Sequence, residues 1–209
     1  MLQNFNLIIY YLGSVTFIAP LILVFLKRRI FFSPLTFYIF ISFLSVIFSY
    51  IFSVYFSNAY PVFHFTILLN CTSLLWYFKS QDISYGKVYI ALIILLVLFS
   101  ISDLNSNGLW KNNFQTSIFS NVCLTMVSLR YLYLVLNDNS VDDIFHFESR
   151  FYIAFSIFIL NATSFFFSIL ENQIRSELSE VFLVTFPLYM LFNMLHNLFI
   201  TLGIWKQTS

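Results

Sequence analysis

The residues best placed to do chemistry are Asn193, His196 and Asn197, which recur three and four apart near the end of the chain. At helical spacing all three share one side of a helix. Pro187 precedes them in the same apolar run. A proline inside a helix removes a backbone donor and bends the rod, so this segment is expected to carry a kink followed by a polar face. Amides and an imidazole arranged in this way can hydrogen-bond a ligand, and His196 could change charge near neutral pH. Asn70 in Asn70-Cys71-Thr72-Ser73, Asn161 in Asn161-Ala162-Thr163-Ser164, His64 and Asn121 are further polar groups in apolar surroundings.

Two readings of these residues stay open. In one they are interhelical glue, each amide tying helices together with about 0.6 to 2 kcal/mol in hydrocarbon. In the other, Asn70, Asn161, Asn193, His196 and Asn197 line a small cavity for a ligand or a switching network. Catalytic chemistry finds no support in the motifs. The chain has no phosphate loop, G-x-S-x-G, C-x-x-C or H-E-x-x-H pattern. His64, His146 and His196 fall on different segments, so no metal set is expected, and no cofactor either. Cys71 and Cys123 sit inside apolar runs and read as packing residues.

The elements that must position these groups follow from composition. Of 209 residues 60% are hydrophobic, 22% aromatic and 9% charged, against about 25% charged in a soluble domain. Too few charges remain to clothe a water-facing shell. The apolar runs approach the roughly 20 residues that cross hydrocarbon, and the expected fold is all-α, a single polytopic bundle of seven transmembrane helices over 1–209. The spans are about 7–26, 33–56, 62–78, 84–102, 114–137, 150–170 and 181–205. Lys27, Arg28 and Arg29 follow the first run, with no basic residue before it. A cleavable leader has the reverse order, so that run is expected to stay as a helix.

The ten basic residues set the expected orientation. With the N-terminus outside and the C-terminus in the cytoplasm, Lys27, Arg28, Arg29, Lys79, Lys87, Arg130, Arg150 and Lys206 fall inside and Lys111 and Arg175 outside. That bias matches the positive-inside rule, and the expected location is the cell (inner) membrane, multi-pass. The net charge of +1 with no basic stripe argues against nucleic acid as a partner. The partners expected are membrane lipid and a protein. Ser140 to Phe147 could form a short cytoplasmic helix with Val141, Ile144 and Phe145 on one side, a surface for docking a protein; the alternative is a solvated turn.

In topology the chain resembles microbial rhodopsins and other seven-helix receptors. The retinal family requires a Schiff-base lysine in the last helix, whereas Lys206 lies beyond Trp205 at the membrane edge, so a retinal pigment is not expected. Size, topology and the ending Phe192-Asn193-Met194-Leu195-His196-Asn197 through Gly203-Ile204-Trp205-Lys206 resemble small seven-span bacterial proteins that accompany sensor kinases. The resemblance implies a non-enzymatic, receptor-like module that signals through a separate partner. A carrier of a small neutral solute or lipid and a structural subunit of a membrane complex are the alternatives.

Overall fold

The computed structural model describes residues 16–26, 33–138, 149–174 and 179–207, and the side chains at 83 and 171–186 lie outside that description. These residues form seven α-helices and no strand: α1 (Ile18–Leu26), α2 (Pro34–Phe56), α3 (Tyr60–Gln81), α4 (Gly86–Asn107), α5 (Phe114–Asp138), α6 (Ser149–Ile174) and α7 (Ser179–Lys206), with a 3-10 turn at Ile83–Tyr85. Six of them, α2 to α7, contain stretches long and apolar enough to cross a membrane. The architecture is that of a multi-pass membrane protein, because only helices or closed barrels keep every backbone amide bonded in hydrocarbon.

The helices gather into two compact units, Arg29–Leu124 and Met1–Arg28 with Thr125–Ser209. In the first unit α2 begins where Ser33 caps it, its hydroxyl accepting the Thr36 N–H at 3.2 Å, with Pro34 in the first turn. A proline costs nothing there, since that N–H has no helical partner. α3 packs on both α2 and α4, which explains its composition. Its mean hydropathy of 1.2 is well below the 2.1 of α2 and 2.2 of α4, as suits a helix that meets protein on two sides and lipid on fewer. Leu35, Ile39, Leu74, Leu75, Phe78 and Leu96 fill the interior. Phe99 of α4 stacks on Phe119 of α5 with centroids 4.6 Å apart.

In the second unit α7 packs against α6 and α1. Gly203 sets the spacing of α6 and α7: a Cβ there would lie 2.6 Å from Ile153 Cγ1 and 3.2 Å from the Ser149 carbonyl oxygen. Ser149 Oγ donates to the Gly203 carbonyl at 2.7 Å. Small residues that admit a neighbouring backbone, with hydroxyls bonding across, are the usual means of helix association in lipid. Ile153, Ala154, Ile157, Ile200 and Ile204 are buried along the same seam. Phe199 meets Tyr152 and Phe155 by ring contact, and Lys206 Nζ lies 4.8 Å above the Tyr152 ring.

Several helix ends differ from the sequence expectation. α3 extends to both sides of 62–78. α6 continues through Ile174, into the stretch expected to be a charged connector. The difference that matters is α4, expected to end at Ser102 and give way to a polar loop at Asp103. It runs on to Asn107, where Gly108 with φ of 75° terminates it and its N–H bonds the Leu104 carbonyl at 3.0 Å. Asp103 thus lies inside a helix and is buried. A carboxylate can stay in that position only with donors directed at it, and α5 supplies them.

Candidate functional site

Two of the residues singled out from sequence act as ties within the Met1–Arg28 and Thr125–Ser209 unit. His196 is 1% exposed, and its Nδ1 donates to the Ser156 carbonyl of α6 at 3.0 Å. Asn197 is 2% exposed, and its Nδ2 donates to Thr16 Oγ1 at 3.1 Å. Neighbouring positions on one helix therefore reach α6 and the residue ahead of α1. Asn161 bonds within its own helix, its Nδ2 donating to the Ile157 carbonyl at 2.7 Å. Asn193 is half-buried on the same helix as His196.

Pro187 lies inside α7, which is helical without interruption from Ser179 to Lys206. Asn70 belongs to the other unit, half-buried on α3, and its Oδ1 has no hydrogen-bond partner among the described residues. Val141, Ile144 and Phe145 lie outside the described residues. Cys71 and Cys123 are buried free thiols. Among the described residues no group of three or more His, Cys, Asp or Glu could hold a metal ion.

A second polar constellation lies at the α4–α5 turn of the Arg29–Leu124 unit. Asp103 Oδ2 accepts both the Thr116 N–H at 2.7 Å and the Thr116 hydroxyl at 2.6 Å. Thr116 is the third residue of α5, so Asp103 caps that helix from α4 and offsets the partial positive charge of its N-terminus. Asn113, the residue before α5, takes the backbone part of a cap, its carbonyl accepting the Ser117 N–H at 3.0 Å. His64 of α3 reaches the same turn, with Nε2 3.0 Å from the Lys111 carbonyl oxygen. A carbonyl only accepts, so Nε2 carries the proton of that bond. Asn58 Nδ2 donates to the Trp110 carbonyl at 2.9 Å, and Asn58 Oδ1 accepts the Tyr60 N–H. The α2–α3 and α4–α5 turns are thereby tied at one end of the unit.

Polar capacity remains open at this turn. Asp103 is 0%, Asn113 2% and His64 3% exposed, yet Asp103 Oδ1, Asn113 Nδ2 and His64 Nδ1 have no hydrogen-bond partner among the described residues. Natural interiors leave few such atoms, and each needs a reason. In the same unit α2 and α3 border a cleft of about 310 Å³, lined chiefly by Ile41, Leu44, Phe48, Phe52, Phe65 and Leu69. Its two hydroxyls, on Ser45 and Thr66, bond the carbonyls of Ser42 and Val62 on their own helices. That cleft offers hydrocarbon contact alone.

Sequence reading passed over Asp103 and Asn113 because both fell in a stretch rich in turn residues. The available signal was an acidic residue on the last turn of one apolar run, thirteen positions before a threonine on the first turn of the next. Compared with known protein families, curated proteins and solved structures, the chain matches none.

Proposed function

We propose that the chain is a non-enzymatic, receptor-like module of the cell (inner) membrane that signals through a separate protein partner. In this reading it has seven spans, the first over 7–26, with the N-terminus outside and the C-terminus in the cytoplasm. The observation that carries the proposal is the α6–α7 seam. Gly203 brings the two helices close, and His196 and Ser149 hydrogen-bond across. Bonds of this kind contribute only about 0.6 to 2 kcal/mol each in a membrane, so a ligand or a partner with modest differential affinity can repack the seam. The partner contacts would lie in the segments 79–87 and 137–150, with Val141, Ile144 and Phe145 as the apolar face.

The test is proximity crosslinking in cells from positions 141, 144 and 145, followed by purification in mild detergent. A discrete partner is expected, its yield reduced by Gly203→Leu. If no protein is recovered from any of the three positions, the signalling role falls. A structural subunit would instead give a partner whose abundance drops on deletion of the chain and whose capture is indifferent to seam variants.

A second reading, a carrier of a small neutral solute or lipid, is favoured by the open Asn70 Oδ1 in the middle of α3. Flux into reconstituted vesicles that is lost in Asn70→Leu would promote it, and no flux for sugars, polyols or lipids would end it.

A further inference from the structure

The three unsatisfied atoms at the α4–α5 turn differ in kind, and their kinds define a ligand. His64 Nε2 donates to the Lys111 carbonyl, so in the neutral ring Nδ1 is an acceptor. Asp103 Oδ1 is an acceptor on a carboxylate whose other oxygen is taken by the neutral donors of Thr116. Asn113 Nδ2 is a donor. His64 is fastened at residue 111 and Asp103 at residue 116, with Asn113 between those two anchor points. The turn thus carries one donor, on Asn113, and is flanked by two acceptors, His64 of α3 and the carboxyl group of Asp103 of α4, all on side chains at least nine-tenths buried.

We propose that this turn is a binding site for a small primary ammonium that carries an oxygen close to its nitrogen. Two of the ammonium N–H groups satisfy Asp103 Oδ1 and His64 Nδ1, and the oxygen accepts from Asn113 Nδ2. An anion is disfavoured although a helix N-terminus is near, since Asp103 already fills the role of the anion and leaves negative charge facing the site. A bare metal ion is disfavoured because the turn supplies too few ligating groups. The burial of all three side chains requires the turn to open at Gly108, whose φ of 75° marks the break in the helix, for the ligand to enter. The same chemistry occurs in a free amino alcohol and in the ethanolamine headgroup of a lipid. The site lies within Arg29–Leu124 and does not depend on the α6–α7 seam, so this inference and the signalling role can fail separately.

The experiment uses the full chain in detergent and in bilayer nanodiscs. Calorimetric titration with ethanolamine is expected to show saturable binding, and choline, which has no N–H, is expected to bind at least about tenfold more weakly because charge-assisted N–H bonds to the carboxylate are lost. Asp103→Asn preserves acceptors for the Thr116 cap while removing the charge, and it should weaken ethanolamine binding at least about tenfold. Asn113→Ser keeps a capping residue and should weaken it less. In nanodiscs, a rise in unfolding temperature with phosphatidylethanolamine over phosphatidylcholine that is absent in Asp103→Asn identifies the headgroup as the source of the amine. Its absence, with ethanolamine still binding, identifies the free amine. Equal binding of choline and ethanolamine, or no binding of ethanolamine in either medium, overturns the proposal, and the turn then holds water alone.

Discussion

At the scale of single residues, the difference between Asp103 and Asn161 shows how partners decide the worth of a buried polar group. Asp103 accepts from a backbone N–H and a hydroxyl of another helix, and truncation strands both donors in a buried position. Asp103→Ala is expected to cost about 1 to 3 kcal/mol, read as earlier unfolding in a denaturant titration of the detergent-solubilised chain. Asp103→Asn should cost clearly less, since its amide oxygen can still accept from Thr116. Asn161 bonds a carbonyl of its own helix, and that carbonyl keeps its helical partner when the amide is removed. Asn161→Leu should therefore fall below about 0.6 kcal/mol, the average for interhelical bonds in membranes. His196→Leu removes a bond between helices and should exceed it. If the order of these last two were reversed in the same titration, own-helix bonding would not explain Asn161.

At the scale of helices, the α6–α7 pairing is governed by one missing methyl group. Gly203→Ala places a Cβ 2.6 Å from Ile153 Cγ1, and overpacking of this type costs about 1 to 3 kcal/mol. Ile153→Ala alone also destabilises, by opening a void. Combined, the two changes should cost less than their sum, because the added methyl enters the space the isoleucine leaves. A coupling indistinguishable from zero in that double-mutant cycle would mean the helices separate to make room.

Helices were also the level at which sequence was most readable, and its limits have physical causes. Runs such as Leu35 to Phe56 could be recognised because lipid demands unbroken apolar surface. The seam could not, since Gly203 stands among residues equally suited to lipid and only the neighbouring Ile153 reveals its role. His196 and Asn197 were visible as polar groups in an apolar run, but the identity of their partners, Ser156 and Thr16, depends on which helices pair. The end of α4 was misplaced because polarity at Asp103, Asn105 and Asn107 resembles a loop, whereas the helix continues until Gly108 and hides Asp103 beneath α5.

At the scale of the whole molecule, the ties between turns sharpen the orientation proposed above. Asn58 reaches Trp110 and His64 reaches Lys111, so the α2–α3 and α4–α5 turns share one end, whereas Lys79 and the 3-10 turn at Ile83–Tyr85 lie at the far ends of α3 and α4. Lys79 Nζ sits 4.5 Å over the Trp76 ring, an arrangement suited to a membrane interface, where an aromatic ring and a snorkelling cation both find partial hydration. Lys79 is one of the eight basic residues that the positive-inside rule assigns to the inner face, and that end is expected in the cytoplasm. A cysteine placed at Asn107 or Lys111 should react with a membrane-impermeant thiol reagent applied to intact cells, and one placed at Ser80 should react only after permeabilisation. Native Cys71 and Cys123 are buried and should contribute little background. Labelling at Ser80 without permeabilisation would invert the bundle. An inverted bundle would turn the Asp103 turn toward the cytoplasm, move the segment 139–148 to the exterior, and remove the site proposed for a cytoplasmic partner.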